Sequence, residues 1–189
     1  MSQTVLEPAE LVTERLRLRR FRRSDAALIE LYCSDPRVAR QTERIPHPYP
    51  PGLAESFVAR VANGAPGETG WAIEVRGGDP DEAEEEDNGL IGSAMLRMPE
   101  EGVARIGYWL APAYWGTGYA TEAAEAVVGF AASAGFREVT ARVFQDNAAS
   151  IRVLLRAGFE YTGDGEAWSV ARGMMVPTHE YRRPLGAGR

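Results

Sequence analysis

The chain has no lysine at all; its 21 basic residues are all arginine. A P-loop is thereby excluded, because that signature ends in Gly-Lys-Ser/Thr. A single cysteine, Cys33, rules out an internal disulfide and suits a reducing, cytoplasmic compartment. No apolar run approaches about 18 residues, so no membrane span is expected. The opening MSQTVLEPAEL lacks the order of charged, apolar and small residues of an export leader, so export is not expected either. The arginines are dispersed and the formal charge is −6, which argues against nucleic-acid binding. No internal repeat and no metal-ligand pattern is present.

What is there fits one compact domain: 189 residues with 44% hydrophobic content are enough for a core, but not for two full domains. The acidity is local. Asp79, Asp81, Glu82, Glu84, Glu85, Glu86 and Asp87 supply seven negative charges within Gly77–Gly89, and without them the formal charge moves from −6 to +1. Such a run cannot fold on itself and reads as a solvated loop (acidic 79–87) between strand-like Trp71–Val75 and Leu90–Arg97. The sharper alternative is a docking surface for a basic substrate.

Elsewhere Leu16 and Leu18 alternate with Arg15, Arg17 and Arg19, a strand whose arginines form its wet face. Ser24-Asp25 opens a helix to about Cys33, and Asp35-Pro36 opens another with proline in its first turn. The proline-stiffened Glu43–Gly52 precedes a helix near Leu53–Val61. Ala123, Ala124, Val127, Val128 and Ala131 form a helical stripe stopped by Gly135. Glu138–Phe144 reads as a strand. A short helix from Asn147 turns Ile151, Leu154 and Leu155 inward and ends at Gly158, and a last strand spans Met174–Arg182. Strands first, then strand-helix-strand-helix-strand, give an α+β fold: a mixed sheet flanked by helices.

The most informative stretch is GYWLAPAYWGTGYATEA, Gly107–Ala123. A half-apolar strand runs through a turn fixed by Pro112 into a glycine-paired loop and directly into a helix start. Backbone NH groups there are left unpaired, with the positive end of the helix dipole behind them, which suits phosphate. Gly116 and Gly118 can take positive φ, and Ala120 lets the first turn come close. A dinucleotide fingerprint needs a third glycine where Thr121 stands, and it follows a first strand rather than lying past mid-chain. A dinucleotide enzyme therefore stays a minor alternative.

On these residues the chain resembles the GNAT superfamily of N-acetyltransferases, whose pyrophosphate loop is Gln/Arg-x-x-Gly-x-Gly/Ala. Here that loop is Trp115-Gly116-Thr117-Gly118-Tyr119-Ala120. The flanking Gly-Tyr-Trp-Leu and Ala-Thr-Glu-Ala, together with Asn147–Phe159 (NAASIRVLLRAGF) and Thr13–Asp25 (TERLRLRRFRRSD), resemble the ribosomal-protein N-terminal (RimJ/RimL-like) branch. The resemblance implies a single GNAT domain over 1–189, mixed and mostly antiparallel, with a cofactor cleft between two splayed central strands. It implies acetyl-CoA as co-substrate and an amine acceptor, either a protein N-terminus or a small molecule, in a monomer or homodimer. Trp109, Leu110, Trp115, Gly116, Thr117, Gly118, Tyr119, Ala120, Thr121, Asn147 and Ser150 are the implied cofactor contacts. The N-terminal helices and the segment after Gly158 would enclose the acceptor, making His47 and Trp168 candidate substrate contacts.

Acyl transfer from a thioester needs a donor at the carbonyl oxygen, where negative charge grows; one such NH is worth ~3 kcal/mol. The resemblance assigns this to the Leu110 backbone NH, at a bulge. The tyrosine that usually protonates the leaving thiolate is replaced by Leu154, and Ser150, one turn earlier, is the candidate donor. The usual basic glutamate is replaced by Arg105, leaving Glu74, His47 and Glu166 as weaker candidates. At pH 7 an α-amine near pKa 7.8 is about 15% neutral and a lysine below about 0.1%, so an enzyme without an evident base favours the α-amine. Without lysine, the chain's own side chains cannot be acceptors. A non-catalytic acyl-CoA-binding module is the alternative raised by Arg105 and Leu154.

Overall fold

The computed structural model describes residues 6–76 and 89–186. One eight-stranded sheet runs in the order β1-β2-β3-β4-β5-β6-β8-β7. The strands are β1 (Leu11–Val12), β2 (Leu16–Arg19), β3 (Glu68–Val75), β4 (Leu90–Glu100), β5 (Val103–Leu110), β6 (Glu138–Phe144), β7 (Glu160–Ser169) and β8 (Met174–Pro184). The helices are α1 (Asp25–Cys33), α2 (Pro36–Ala39), α3 (Leu53–Ala62), α4 (Tyr119–Ser133) and α5 (Ala148–Arg156). Every neighbouring pair is antiparallel except β5 with β6, which is parallel because α4 carries the chain across between them. The α+β reading with a mixed, mostly antiparallel sheet holds.

Alternation along the strands sends two sets of side chains to opposite faces. Trp71, Ile73, Ala94, Leu96, Ile106 and Leu110 meet Ala123, Val127, Val128 and Ala131 of α4 and Leu154 of α5 in the main core. Ala72 and Met95, on the other face, pack with Ala26, Ile29 and Cys33 of α1 and Ala54, Val58 and Val61 of α3. Burial in this second cluster pushes the Cys33 thiol up to about 12, so it stays protonated and inert.

Two sequence expectations fail, each for a local reason, and one strand, β7, is not anticipated. β7 shows no period-2 hydrophobic pattern, with only Ala167 and Ser169 buried, because it is an edge strand held by β8 through its backbone. Leu155 is 53% exposed; α5 lays Leu154 alone fully into the core. Arg19 is not on a wet face. It is 3% exposed and donates to Asp25 at 2.8 and 2.9 Å and to Glu74, both buried, tying β2 to α1 and β3. The acidic run's residues 77–88 lie outside the described residues.

Removing one member of such a buried set strands the remaining charges, at about 3–5 kcal/mol. Arg19→Ala should therefore lower unfolding free energy by that amount in a urea titration. Arg17→Ala, which breaks the exposed pair with Glu10, should cost less than about 1 kcal/mol. Equal losses for the two would contradict the assignment.

Candidate active site

The site begins where two strands part. β5 and β6 pair from Val103↔Glu138 to Ile106↔Ala141 and no further. Beyond that, β5 follows β4 as far as Gly92↔Leu110, while β6 follows β8 as far as Phe144↔Thr178. A wedge opens between Gly107–Leu110 and Arg142–Phe144.

Which amides face the wedge follows from the ladder. Ala111 N donates to Ile91 O at 2.8 Å, and main-chain groups on a strand alternate direction. Trp109 N–H is therefore turned to β4, whereas the main chains of Tyr108 and Leu110 are turned into the wedge. The Leu110 carbonyl on that side accepts from Trp115 Nε1 at 2.8 Å, which leaves the Leu110 N–H as the donor pointing into the opening. No bulge is needed to expose it. The β4–β5 register is unbroken from Leu96↔Ile106 to Gly92↔Leu110, and its irregularity falls at Arg97–Glu100 instead. The Trp109 ring lies on the opposite face, edge-on to Tyr32 at 6.4 Å.

Past β5 a short 3-10 turn, Pro112–Tyr114, leads to the glycine loop. Gly116 and Gly118 have φ of 77° and 87°, and a Cβ at Gly116 would meet nothing within 4 Å, so the loop presents bare backbone to open space. Gly118 is the N-cap of α4 and has no side chain to satisfy the first turn. Thr117 Oγ1 accepts from Tyr119 N at 3.3 Å, and Ala120 and Thr121 sit where a helix has no internal acceptor for its N–H. Glu122 fixes the turn by accepting from Thr13 Oγ1 at 2.6 Å and Arg15 N at 2.8 Å. Arg15 reaches the Thr117 carbonyl at 2.9 Å, which brings a positive charge to the loop. A diphosphate fits this cradle by charge and by space.

Across the wedge, Asn147 caps α5 by accepting from Ser150 N at 3.1 Å. Ser150 Oγ lies 2.8 Å from Tyr108 Oη. Burial pushes the Tyr108 phenol well above its ordinary value, only partly offset by the Ser150 bond, so it keeps its proton at neutral pH. Tyr108 was not among the site residues expected from the sequence. The signal was available in the two-residue period, which puts Tyr108 and Leu110 on one face toward α5. Leu154 is buried in the core and offers no hydroxyl.

The remaining candidates are not brought together. Glu74 is locked to Arg19. His47 is exposed, and Glu166 is exposed on the edge strand. Trp168, 55% exposed, stands opposite Met175, whereas its neighbours Ala167 and Val176 pack with Phe144 on the other face. The β7–β8 tip does close one end. Val170 N donates to Glu43 O at 3.0 Å, and Arg172 clamps Asp146 at 2.6 and 3.0 Å while reaching Arg40 O at 2.8 Å.

Residues 15–160 match the model of the acetyltransferase (GNAT) domain. The chain belongs to the GNAT acetyltransferase family. A GNAT protein is an acetyl-CoA-dependent acyltransferase, and the open glycine loop with its free amides fits acetyl-CoA as co-substrate. A Bacillus licheniformis protein named as uncharacterized N-acetyltransferase p20 is 26% identical over 174 residues, covering 90% of this chain and 93% of that one. Among solved structures, the RimL ribosomal L7/L12 alpha-N-protein acetyltransferase with coenzyme A superposes with TM-score 0.77 at 18% identity, covering 95% and 100%. A spermidine N-acetyltransferase from Vibrio cholerae with CoA and spermine gives 0.73 at 16%, covering 93% and 98%. Among the described residues no helix is long and apolar enough to cross a membrane, and no three metal-binding side chains cluster.

Gly118→Ala tests the loop. A Cβ there adopts a left-handed conformation costing about 1–2 kcal/mol and meets Arg15 Nη2 at 3.3 Å. The free loop can relax, but binding must restore its shape, so calorimetry should show coenzyme A affinity weakened by roughly 5- to 30-fold. Unchanged affinity would remove the loop from the binding site.

Proposed function

We propose that this GNAT enzyme acetylates an α-amino group, as a member of the ribosomal-protein N-terminal branch acting in the cytoplasm. The observation that carries the reading is the pairing of Tyr108 Oη with Ser150 Oγ at 2.8 Å on the strand face that also carries Leu110. Acetyl-CoA supplies an activated acetyl group when bound. Leu110 N–H then stabilises negative charge on the carbonyl oxygen. As the amine forms its C–N bond and the C–S bond breaks, the Tyr108–Ser150 pair holds the proton that the departing thiolate takes. The proton shed by the amine passes to solvent, from which the pair is restored. A thiol of reference pKa about 8.5 costs only ~2 kcal/mol to leave unprotonated at pH 7, so this donor contributes modestly.

The cofactor contacts in this reading are the Trp115–Thr121 loop, Asn147 and Ser150, together with the wedge-facing main chain of Tyr108 and Leu110. The N–H of Trp109 is committed to β4. Among the described residues Glu74 is committed to Arg19 and Glu166 is exposed on the edge strand, which favours an α-amine over a lysine side chain, since the former is already partly neutral at pH 7. RimL, a structural neighbour, is titled an alpha-N-protein acetyltransferase, which is consistent. A small-molecule amine is the second reading, favoured by the neighbour titled as a spermidine N-acetyltransferase. A non-catalytic module is disfavoured because the Tyr108–Ser150 pair supplies the proton that Leu154 cannot.

Thiol release from acetyl-CoA tests the mechanism. Tyr108→Phe and Ser150→Ala should each lower kcat by roughly tenfold to a hundredfold at saturating amine, consistent with loss of one acid-base contact, with coenzyme A affinity retained in Tyr108→Phe. Unchanged kcat in both variants removes the pair from the reaction. Turnover faster on Nα-acetyl-lysine than on a peptide α-amine would overturn the acceptor class.

A further inference from the structure

On the sheet face turned away from α4 and α5, one row across the strands reads Glu68, Arg97, Arg105 and Thr140, aligned by the pairs Glu68↔Arg97, Arg97↔Arg105 and Arg105↔Thr140. The next row toward the wedge carries Met95 and Gly107, and a Cβ at Gly107 would meet nothing within 4 Å. Open space therefore stands over Gly107, between the arginine row and Trp109. Arg142 borders it from β6, held by Glu180 at 2.6 Å and reaching Glu43 at 3.9 Å.

The arginines of this row are under-compensated. Arg105 has no ion-pair or hydrogen-bond partner among the described residues, and its buried Nε is unsatisfied, as is the buried Nε of Arg97. Arg97 has only Glu68 at 3.7 Å, and Glu68 is already paired with Arg60. Burial, then Arg44, and further Arg60 and Arg105 press Arg97 down to about 10, outweighing the support of Glu43. A buried guanidinium N–H without an acceptor is costly, and like charges gathered on one wall make a site for an anion. Arginine suits it because its planar fork meets carboxylate and phosphate oxygens in pairs.

We propose that Arg97 and Arg105 bind an anionic group, carboxylate or phosphate, carried by the acceptor amine. This rests on the acyltransfer reading and narrows it. Arg105 precedes Leu110 by five residues, about 17 Å of extended strand at ~3.3 Å per residue. The anion is thus several bonds from the amine, as in a dipeptide with an acidic second residue or an amino-alkyl phosphate, and a polycation such as a polyamine is repelled.

Two assays separate this proposal from the reaction itself. In the first, coenzyme A-saturated protein is titrated with inorganic phosphate and with glutarate while thermal unfolding is followed. Tm should rise by several degrees in wild type and by much less in Arg105→Gln and in Arg97→Gln; equal rises in all three overturn the site. In the second, kcat/KM is compared for Ala-Glu against Ala-Gln and for phosphoethanolamine against ethanolamine. At least one anionic member should be preferred tenfold or more, with that ratio falling toward one in Arg105→Gln. Preference for the carboxylate pair or for the phosphate pair identifies the source of the anion, whereas ratios near one in wild type, or unchanged in the variant, overturn the proposal. Failure of every amine while the first assay succeeds would defeat the acyltransfer reading and leave the anion site standing.

Discussion

A parallel strand pair that stops pairing midway must find other partners for its main chain, and the site grows from that single break. β5 is retained by β4 and β6 by β8, so each strand keeps one good ladder while their shared edge is given up. Unpaired backbone inside a protein is expensive. Here it is left facing a cleft where a ligand with its own amides can complete it, much as an added strand would. The same divergence sets Leu110 N–H and Tyr108 Oη on the parting strand, with Ser150 brought to Tyr108 from α5.

The glycine loop depends on the break as well. α4 is the crossover that makes β5 and β6 parallel, and its N-terminus follows the end of β5 through the short turn and the glycine loop. Glycine at the cap leaves the amides of Ala120 and Thr121 unclaimed, and Glu122 with Arg15 and Thr13 holds the turn from outside rather than filling it. Anion attraction at the helix start and donor placement in the wedge are thus two ends of one strand-turn-helix unit.

Much of this was legible from residue order. Gly116, Gly118 and the missing third glycine located the loop and separated it from dinucleotide folds, because positive φ and absent side chains are local properties. Asn147 as a cap and Gly135 and Gly158 as terminators were readable for the same reason. What escaped were relations between distant segments. Arg19 looks like an exposed strand residue until Asp25 and Glu74 close around it, and Tyr108 looks like packing until α5 brings Ser150 to its hydroxyl. Arg105, noted only as a missing glutamate, gains meaning beside Arg97 and the open space over Gly107. Trp168 shows the converse: an aromatic near the acceptor end in sequence, yet on the outer face of an edge strand.

The Leu110 N–H can be observed directly. Backbone amide resonances of the ¹⁵N-labelled protein, followed through a coenzyme A titration, report each N–H separately. The divergent-strand account predicts large shifts and slowed hydrogen exchange at Leu110, Ala120 and Thr121, with Trp109 little changed in exchange because its N–H is already paired to β4. Slowed exchange at Trp109 with Leu110 unaffected, or no response at Ala120 and Thr121, would contradict it.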